Sequence, residues 1–177
     1  VQLNNPALLA EMTGIDVVAD FRTRDVAAGG QGAPLVPAFH QAIFGKPDQT
    51  VAVLNIGGMA NLSILRPGEL PLGFDCGPGN ALLDMWCEWQ TGHAYDANGE
   101  FGALGDAKED WLEDALQEPF FSQAPPKSTG RDLFNAEWLN RWLGPHGLTD
   151  GPLSDTDLAR DVQATLCELT ARSAALA

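Results

Sequence analysis

The chain has 177 residues, 45% of them apolar, enough for one substantial core or for parts of two domains. Its net charge of -14, from 24 acidic and 10 basic residues, excludes the clustered Lys and Arg of a nucleic-acid footprint and excludes docking on anionic membranes. No apolar run reaches the ~20 residues of a membrane-spanning helix, and the first residues lack the basic, apolar, small-residue order of a secretory leader. Cys76, Cys87 and Cys167 are odd in number and far apart, without the paired spacing of a zinc site or a redox dithiol. They read as free thiols in a reducing cytoplasm. His40, His93 and His146 are equally scattered, and no metal site is assigned to them. The chain opens at Val1 without Met and stops at Ala177 inside a predicted helix, so both ends read as cuts in a longer protein.

In chain order, Val1 to Leu3 suits the end of a strand. Asn5 then suits a helix cap, Pro6 the first helical position, and Ala7 to Met12 a short helix closed by Gly14. Ile15 to Ala19 is β-branched and predicts a strand. Asp20 to Gly32, with Arg22, Arg24, Asp25 and the small residues Ala27 to Gly30, predicts a loop at the carboxyl end of that strand, where α/β folds place ligands. Pro34 to Phe44 predicts a helix ended by Gly45 to Pro47. Val51 to Ile56 and Asn61 to Leu65 predict two strands joined by Gly57, Gly58, Met59 and Ala60, and Leu72 to Phe74 a third. This antiparallel meander feeds an aromatic helix from about Ala81 to Gln90 and favours an α/β fold. Asn98 to Gly105 and Pro125 to Gly130 read as loops. Helices are predicted over Asp110 to Gln117, Ala136 to Leu143 and Ala159 to Ala177, the last capped from the SDTD run beginning at Ser154. No dinucleotide fingerprint, internal repeat or heptad seam is present.

Several segments have the makings of chemistry, and each also has a plainer use. Gly57 and Gly58 either let backbone N–H groups approach a phosphate or simply make a tight turn. Asp75, read as ending a strand before a glycine-rich bend, either takes a proton from a hydroxyl or water or closes the turn on its own backbone. Asn80 stands where it would cap the next helix, whose N-terminus favours anions. Arg22, Arg24 and Asp25 form either an anion-binding cluster or a solvated surface. The run Pro125 to Arg131, with Lys127, Ser128, Thr129 and Arg131 beside Gly130, either binds an anionic group or is a structural loop; lacking phosphate-loop spacing and a feeding strand, it is read as structural. The five tryptophans read as packing residues. An Asp75–Asp84 pair of glycosidase type is disfavoured, because Asp84 falls on the helix four residues after Asn80.

Taken together, VVADFRTRDVAAGGQGAPLVPAFHQAIFG, VLNIGGMANLSIL, GFDCGPGNALLDMW, PPKSTGRDLFN and DVQATLCELTARS resemble the anhydro-N-acetylmuramic acid kinase family over nearly the whole chain and in the right order. The resemblance implies a two-lobed, actin-like (ribonuclease H-like) sugar-kinase fold. Residues 1–50 would then end the first lobe and connect to the second, and 51–177 would form the first half of the second. It implies an ATP- and Mg²⁺-dependent enzyme of peptidoglycan recycling that opens the 1,6-anhydro ring with water and phosphorylates O6, giving N-acetylmuramic acid 6-phosphate. On this resemblance Asp75 is the catalytic base and also touches the sugar, and Arg24 contacts the substrate. Asn55, Gly57, Gly58, Gly77 and Asn80 then lie toward the nucleotide phosphates. The first phosphate loop, the aspartate that helps hold Mg²⁺ and the adenosine segment are expected outside this sequence. A cytoplasmic homodimer, without nucleic-acid or membrane partners, is also implied. Two alternatives stay open: a kinase for another amino sugar, and a non-catalytic sugar-sensing regulator of the same fold.

Overall fold

The computed structural model describes residues 5–148 and 151–177. The strand end expected at Val1 to Leu3 lies outside the described residues. Three strands form one antiparallel sheet in the order β1 (Val51–Ile56), β2 (Met59–Leu65) and β3 (Leu72–Pro78). The meander expected from the strand, glycine-turn, strand pattern is therefore present. Its register runs Val51 to Leu65 and Ile56 to Ala60 on one side, and Ile64 to Leu72 and Met59 to Pro78 on the other. Asn61 pairs with Asp75 while Ala60 pairs with Gly77, so Cys76 is the extra residue of a β-bulge.

Seven α-helices surround the sheet among the described residues: α1 (Pro6–Thr13), α2 (Phe21–Ala27), α3 (Pro37–Phe44), α4 (Asn80–Thr91), α5 (Glu109–Ala115), α6 (Ala136–Leu143) and α7 (Thr156–Leu176). Local chemistry sets several of their ends. Asn5 accepts a hydrogen bond from the Leu8 N–H and Gly14 closes α1 in the left-handed conformation. Asn135 accepts from the Trp138 N–H at the start of α6, and Asp155 accepts from Asp157 and Leu158 at the start of α7.

Two clusters hold the molecule together. The larger gathers Leu82 and Trp86 of α4, Leu112 of α5, Trp138 and Trp142 of α6, and Val162, Leu166 and Leu169 of α7, with Phe120 and Phe134 from the connecting loop. Each fully buried large side chain of this kind stabilises the fold by roughly 1.5–3 kcal/mol. The Trp86 indole also donates to the Ala159 carbonyl at 2.8 Å, tying α4 to α7. Trp89 and Trp111 pack against the same cluster, so all five tryptophans are packing residues, as their sequence positions suggested. The smaller cluster, Ala60, Leu62, Phe74 and Cys76 with Ala174, lies between the sheet and α7.

Four expectations change. Ile15 to Ala19 is irregular rather than a strand, with Ile15 and Val18 exposed. β-Branched residues favour extended backbone only when a neighbouring strand completes the ladder, and none of the described strands pairs here. Asp20 to Gly32 is not all loop. Phe21–Ala27 contains neither Gly nor Pro and closes into α2, and the loop behind it is tied back by the Arg22 guanidinium to the Gly32 carbonyl and by the Gly32 N–H to Asp25. Asp75 does not end a strand, because pairing between Met59 and Pro78 carries β3 past it. Asn80 does not cap α4. It is the first helical residue, Gly79 occupies the cap position, and the Asn80 N–H donates to the Gly57 carbonyl at 2.8 Å.

Candidate active site

The antiparallel register puts Asn55, Asn61 and Asp75 in one cross-strand row, so their side chains share a face of the sheet. Ser63 and Gly73 continue that face. Ser63 is hydrogen-bonded to His40 of α3 at 2.8 Å, and a side chain at Gly73 would run into Pro37 and Pro34. The opposite face carries the small apolar cluster under α7. Asp75 thus stands on the sheet face opposite that apolar cluster, only 6% exposed.

The connecting loop after α5 closes over this row. The Asp75 N–H donates to the Lys127 carbonyl at 2.9 Å. The Ser128 hydroxyl and the Thr129 N–H both donate to Asp75 Oδ2, each at 2.9 Å. Lys127 turns its own side chain inward: its ammonium donates to the Phe120 and Phe121 carbonyls at 3.3 and 3.2 Å and lies 4.8 Å from the centre of the Phe120 ring. Burial holds the Lys127 amine below the usual lysine range, an effect that Cys76 opposes. Burial also pushes the Cys76 thiol up to about 11, with Lys127 acting against the rise and Asp75 adding to it. Cys76 is therefore a thiol at neutral pH, unsuited to nucleophilic work.

Beside this row, the Gly57–Gly58 turn faces the start of α4. The Gly57 carbonyl accepts from Asn80, and the Gly58 carbonyl accepts from Gly79 and Ala81. A Cβ at Gly57 would meet nothing nearer than 3.7 Å, and one at Gly58 nothing nearer than 3.9 Å. A Cβ would make only ordinary contacts there, so protein packing does not demand glycine at either position. Gly77 is different: it has φ of 157°, and a Cβ there would come within 2.7 Å of the Phe121 ring. Asn80 borders a cleft of about 590 Å³ between α4, the 95–103 segment and α7, together with Asp84, Tyr95 and Gln163. Burial raises the Asp84 carboxyl above its ordinary value, and the nearby Arg131 guanidinium opposes the shift.

The structure brings Asn55 and Asp75 onto one row and sets Gly57, Gly58 and Asn80 together at the adjoining turn. Arg24 stands apart on exposed α2, bordering a separate hollow with Phe21, Asp25 and Leu35. Asp25 also reaches a second hollow of about 350 Å³ that includes Gly73 and Pro126, which flank the Asp75 row. Asp84 and Asp75 share no hydrogen-bond partner among the described residues, so their pairing gains no geometric support. Sequence reasoning places Ser128 and Thr129 in a structural loop, without a link to Asp75, and reads Asn61 only as a strand residue. Ser128 lies 53 residues from the aspartate it touches, a contact that no local pattern reveals. Asn61 was readable only through strand register.

Among the described residues no group of three or more His, Cys, Asp or Glu is arranged to hold a metal ion. No described helix is long and apolar enough to cross a membrane.

The family model described as anhydro-N-acetylmuramic acid kinase matches residues 1–177. A relative of that name from Bordetella pertussis is 59% identical over 176 residues, covering 99% of this chain and 45% of its own length. Relatives of the same name from Albidiferax ferrireducens and Pseudomonas paraeruginosa are 56% and 55% identical, covering 97% and 98% of this chain and 47% and 45% of their own lengths. The chain thus spans about half the length of the curated relatives it matches. A match that runs through the Asp75 strand, the Gly57–Gly58 turn and the Ser128 loop without leaving any part of the sequence uncovered makes this chain a member of the anhydro-N-acetylmuramic acid kinase family.

Proposed function

We propose that the full-length protein carrying this chain opens the 1,6-anhydro ring of 1,6-anhydro-N-acetylmuramic acid and phosphorylates O6 with ATP, giving N-acetylmuramic acid 6-phosphate for cell-wall recycling. The observation that carries the reading is Asp75, a buried carboxylate on strand backbone near the Gly57–Gly58 turn. In the proposed step Asp75 takes a proton from water. The water oxygen bonds to C1, and the C1–O6 bond breaks with its electron pair staying on O6. O6 then bonds to the γ-phosphorus as the bond to the ADP oxygen breaks. One carboxylate suffices, because the oxygen that departs from C1 is also the phosphoryl acceptor and is generated in place.

Glycine at 57 and 58 where packing does not require it supports a close approach of phosphate to backbone, with Asn55 and Asn80 near the same turn. Gly77 is also kept as a phosphate-side residue, though its packing against Phe121 already accounts for glycine there. Arg24 is retained as the substrate-side arginine of the proposal. Mg²⁺ would neutralise phosphate charge in such a reaction, but the described carboxylates do not form its cage and no step here is assigned to it. The proposed division into a first-lobe end at 1–50 and a second-lobe half at 51–177 is supported by burial. Helices α1, α2 and α3 contain no buried residue, whereas the two apolar clusters draw their buried members from Ala60 onward. Consumption of ATP accords with a cytoplasmic setting, which belongs to the same proposal.

The test uses the full-length protein, wild type and Asp75→Asn, with ATP, Mg²⁺ and the anhydro sugar in isotopically heavy water, the product read by mass spectrometry. The expected wild-type product is a ring-opened sugar phosphate with one heavy oxygen, and the variant should form none. A folded wild-type protein that makes no sugar phosphate would sink the kinase reading and favour a sugar sensor.

A further inference from the structure

The two oxygens of the Asp75 carboxylate are treated differently by the fold. Oδ2 receives two donors, the Ser128 hydroxyl and the Thr129 N–H, both at 2.9 Å. No hydrogen bond among the described residues reaches Oδ1. A carboxylate held by one donor can still swing about its Cβ–Cγ bond. Two donors converging on one oxygen from adjacent residues fix the plane of the group and therefore the direction in which the other oxygen presents its lone pairs.

The segment that supplies these donors is itself anchored on both sides. Before Ser128, the Lys127 carbonyl accepts from the Asp75 N–H, so the loop is hydrogen-bonded to the strand at the same residue it clamps. The Lys127 side chain is 6% exposed and nailed to the Phe120 and Phe121 carbonyls. After Thr129, the Gly130 carbonyl accepts from Leu133 and Phe134, and Phe134 is wholly buried in the larger core. Ser128 and Thr129 are thus a short bridge between two fixed points. A loop serving only as a connection would not need its single buried lysine spent on two backbone carbonyls.

The geometry points to Ser128 as a positioning residue for the proposed base: with the Thr129 N–H it locks Oδ2 and leaves Oδ1 to receive the proton from water. This rests on the reading of Asp75 given above and adds to it which oxygen acts and what holds it. Ser128 acts through Asp75 and needs no contact with sugar or ATP. Its loss should therefore slow the chemical step without weakening substrate binding.

The experiment measures steady-state kinetics of the full-length protein with the anhydro sugar and ATP, for wild type, Ser128→Ala and Ser128→Thr. Removing the hydroxyl should lower kcat about tenfold to hundredfold, the scale set by misplacing one catalytic group, with KM for both substrates held within about twofold. Ser128→Thr keeps the donor and should hold kcat within about threefold of wild type. Should the alanine protein fail to fold, Ser128→Cys, close in shape but a poor donor, takes its place with the same expected values. A Ser128→Ala protein with wild-type kcat, a loss confined to KM, or a threonine protein as slow as the alanine one would each overturn the proposal. An inactive wild type would instead overturn the kinase reading, so the two failures are distinguishable.

Discussion

Cys76 follows Asp75 in β3 and gives the site a pH signature that does not depend on catalysis. Burial pushes its thiol to about 11 from an ordinary 9.0, against the pull of the Lys127 ammonium and with a push from the Asp75 carboxylate. The folded protein thus keeps this proton to higher pH than the unfolded chain does. The stability it contributes is fully present below about 9 and is lost as pH rises through about 11. Denaturant melts at stepped alkaline pH should show that decline in wild type and a flatter profile in Cys76→Ala. Equal slopes in the two proteins would remove Cys76 as the cause. The alkaline limb matters because Cys76 and the proposed base share the strand that the Ser128 loop clamps.

Helices α5 and α7 are fastened by a compact polar join. Asp161 of α7 accepts from the Lys108 ammonium and the Asp106 N–H, both at 2.8 Å, and Thr165 accepts from the Lys108 N–H at 3.0 Å. Burial alone would raise the Asp161 carboxyl, but the Lys108 and Asp106 hydrogen bonds outweigh it and hold the group below its ordinary 3.8. Its contribution is therefore present above 3.8 and lost as pH falls through the lower folded value. Asp161→Asn should cost about 1–2 kcal/mol at neutral pH, with the gap to wild type closing in acid. A gap that persists unchanged in acid would assign the loss to packing rather than charge. Elements of this kind differ in how far the sequence announces them. Helix α1 is legible because Asn5 and Gly14 act within one turn of themselves, whereas the Asn135 cap of α6 emerges only in the structure. The meander is legible because Gly57–Gly58 separates its first two strand patterns. Ile15 to Ala19 misleads because a strand is defined by a partner, and residue preference alone does not supply one.

The molecule as a whole is part of the actin-like, sugar-kinase fold to which its family belongs, with its core gathered on one side of the sheet. Many apolar side chains are nevertheless left uncovered. Met12, Ile15, Val18, Phe21, Val26, Phe39 and Ile43 are all more than half exposed, and Leu54 and Ile56 of the edge strand β1, on the same sheet face as Leu62 and Ala60, are nearly so. Exposed apolar side chains on this scale bind other apolar surfaces. The isolated 177-residue chain should bind a hydrophobic dye strongly and release no ADP above a protein-free control. ADP release by that chain alone would contradict the proposed sharing of the active site with segments outside it. Asp75 shows how such a site divides between local and global information. Its glycine-rich setting marks it in the sequence, whereas Ser128 reaches it only after α4 and α5 have folded back and carried the loop across 53 residues.

The bulge at Cys76 has a consequence for how this segment tolerates change. Because Asn61 faces Asp75 while Ala60 faces Gly77, the strand spends one residue without advancing along its neighbour. That extra residue brings Pro78 level with Met59 and delivers the first turn of α4 to the carbonyls of the glycine hairpin. Without it the ladder would close smoothly but α4 would arrive one step out of place. Gly77 and Gly79 leave no space for a side chain, against Phe121 and the Gly57 carbonyl respectively. Insertions or deletions between Asp75 and Asn80 are barred for a separate reason, because they would carry α4 away from the hairpin carbonyls that receive it.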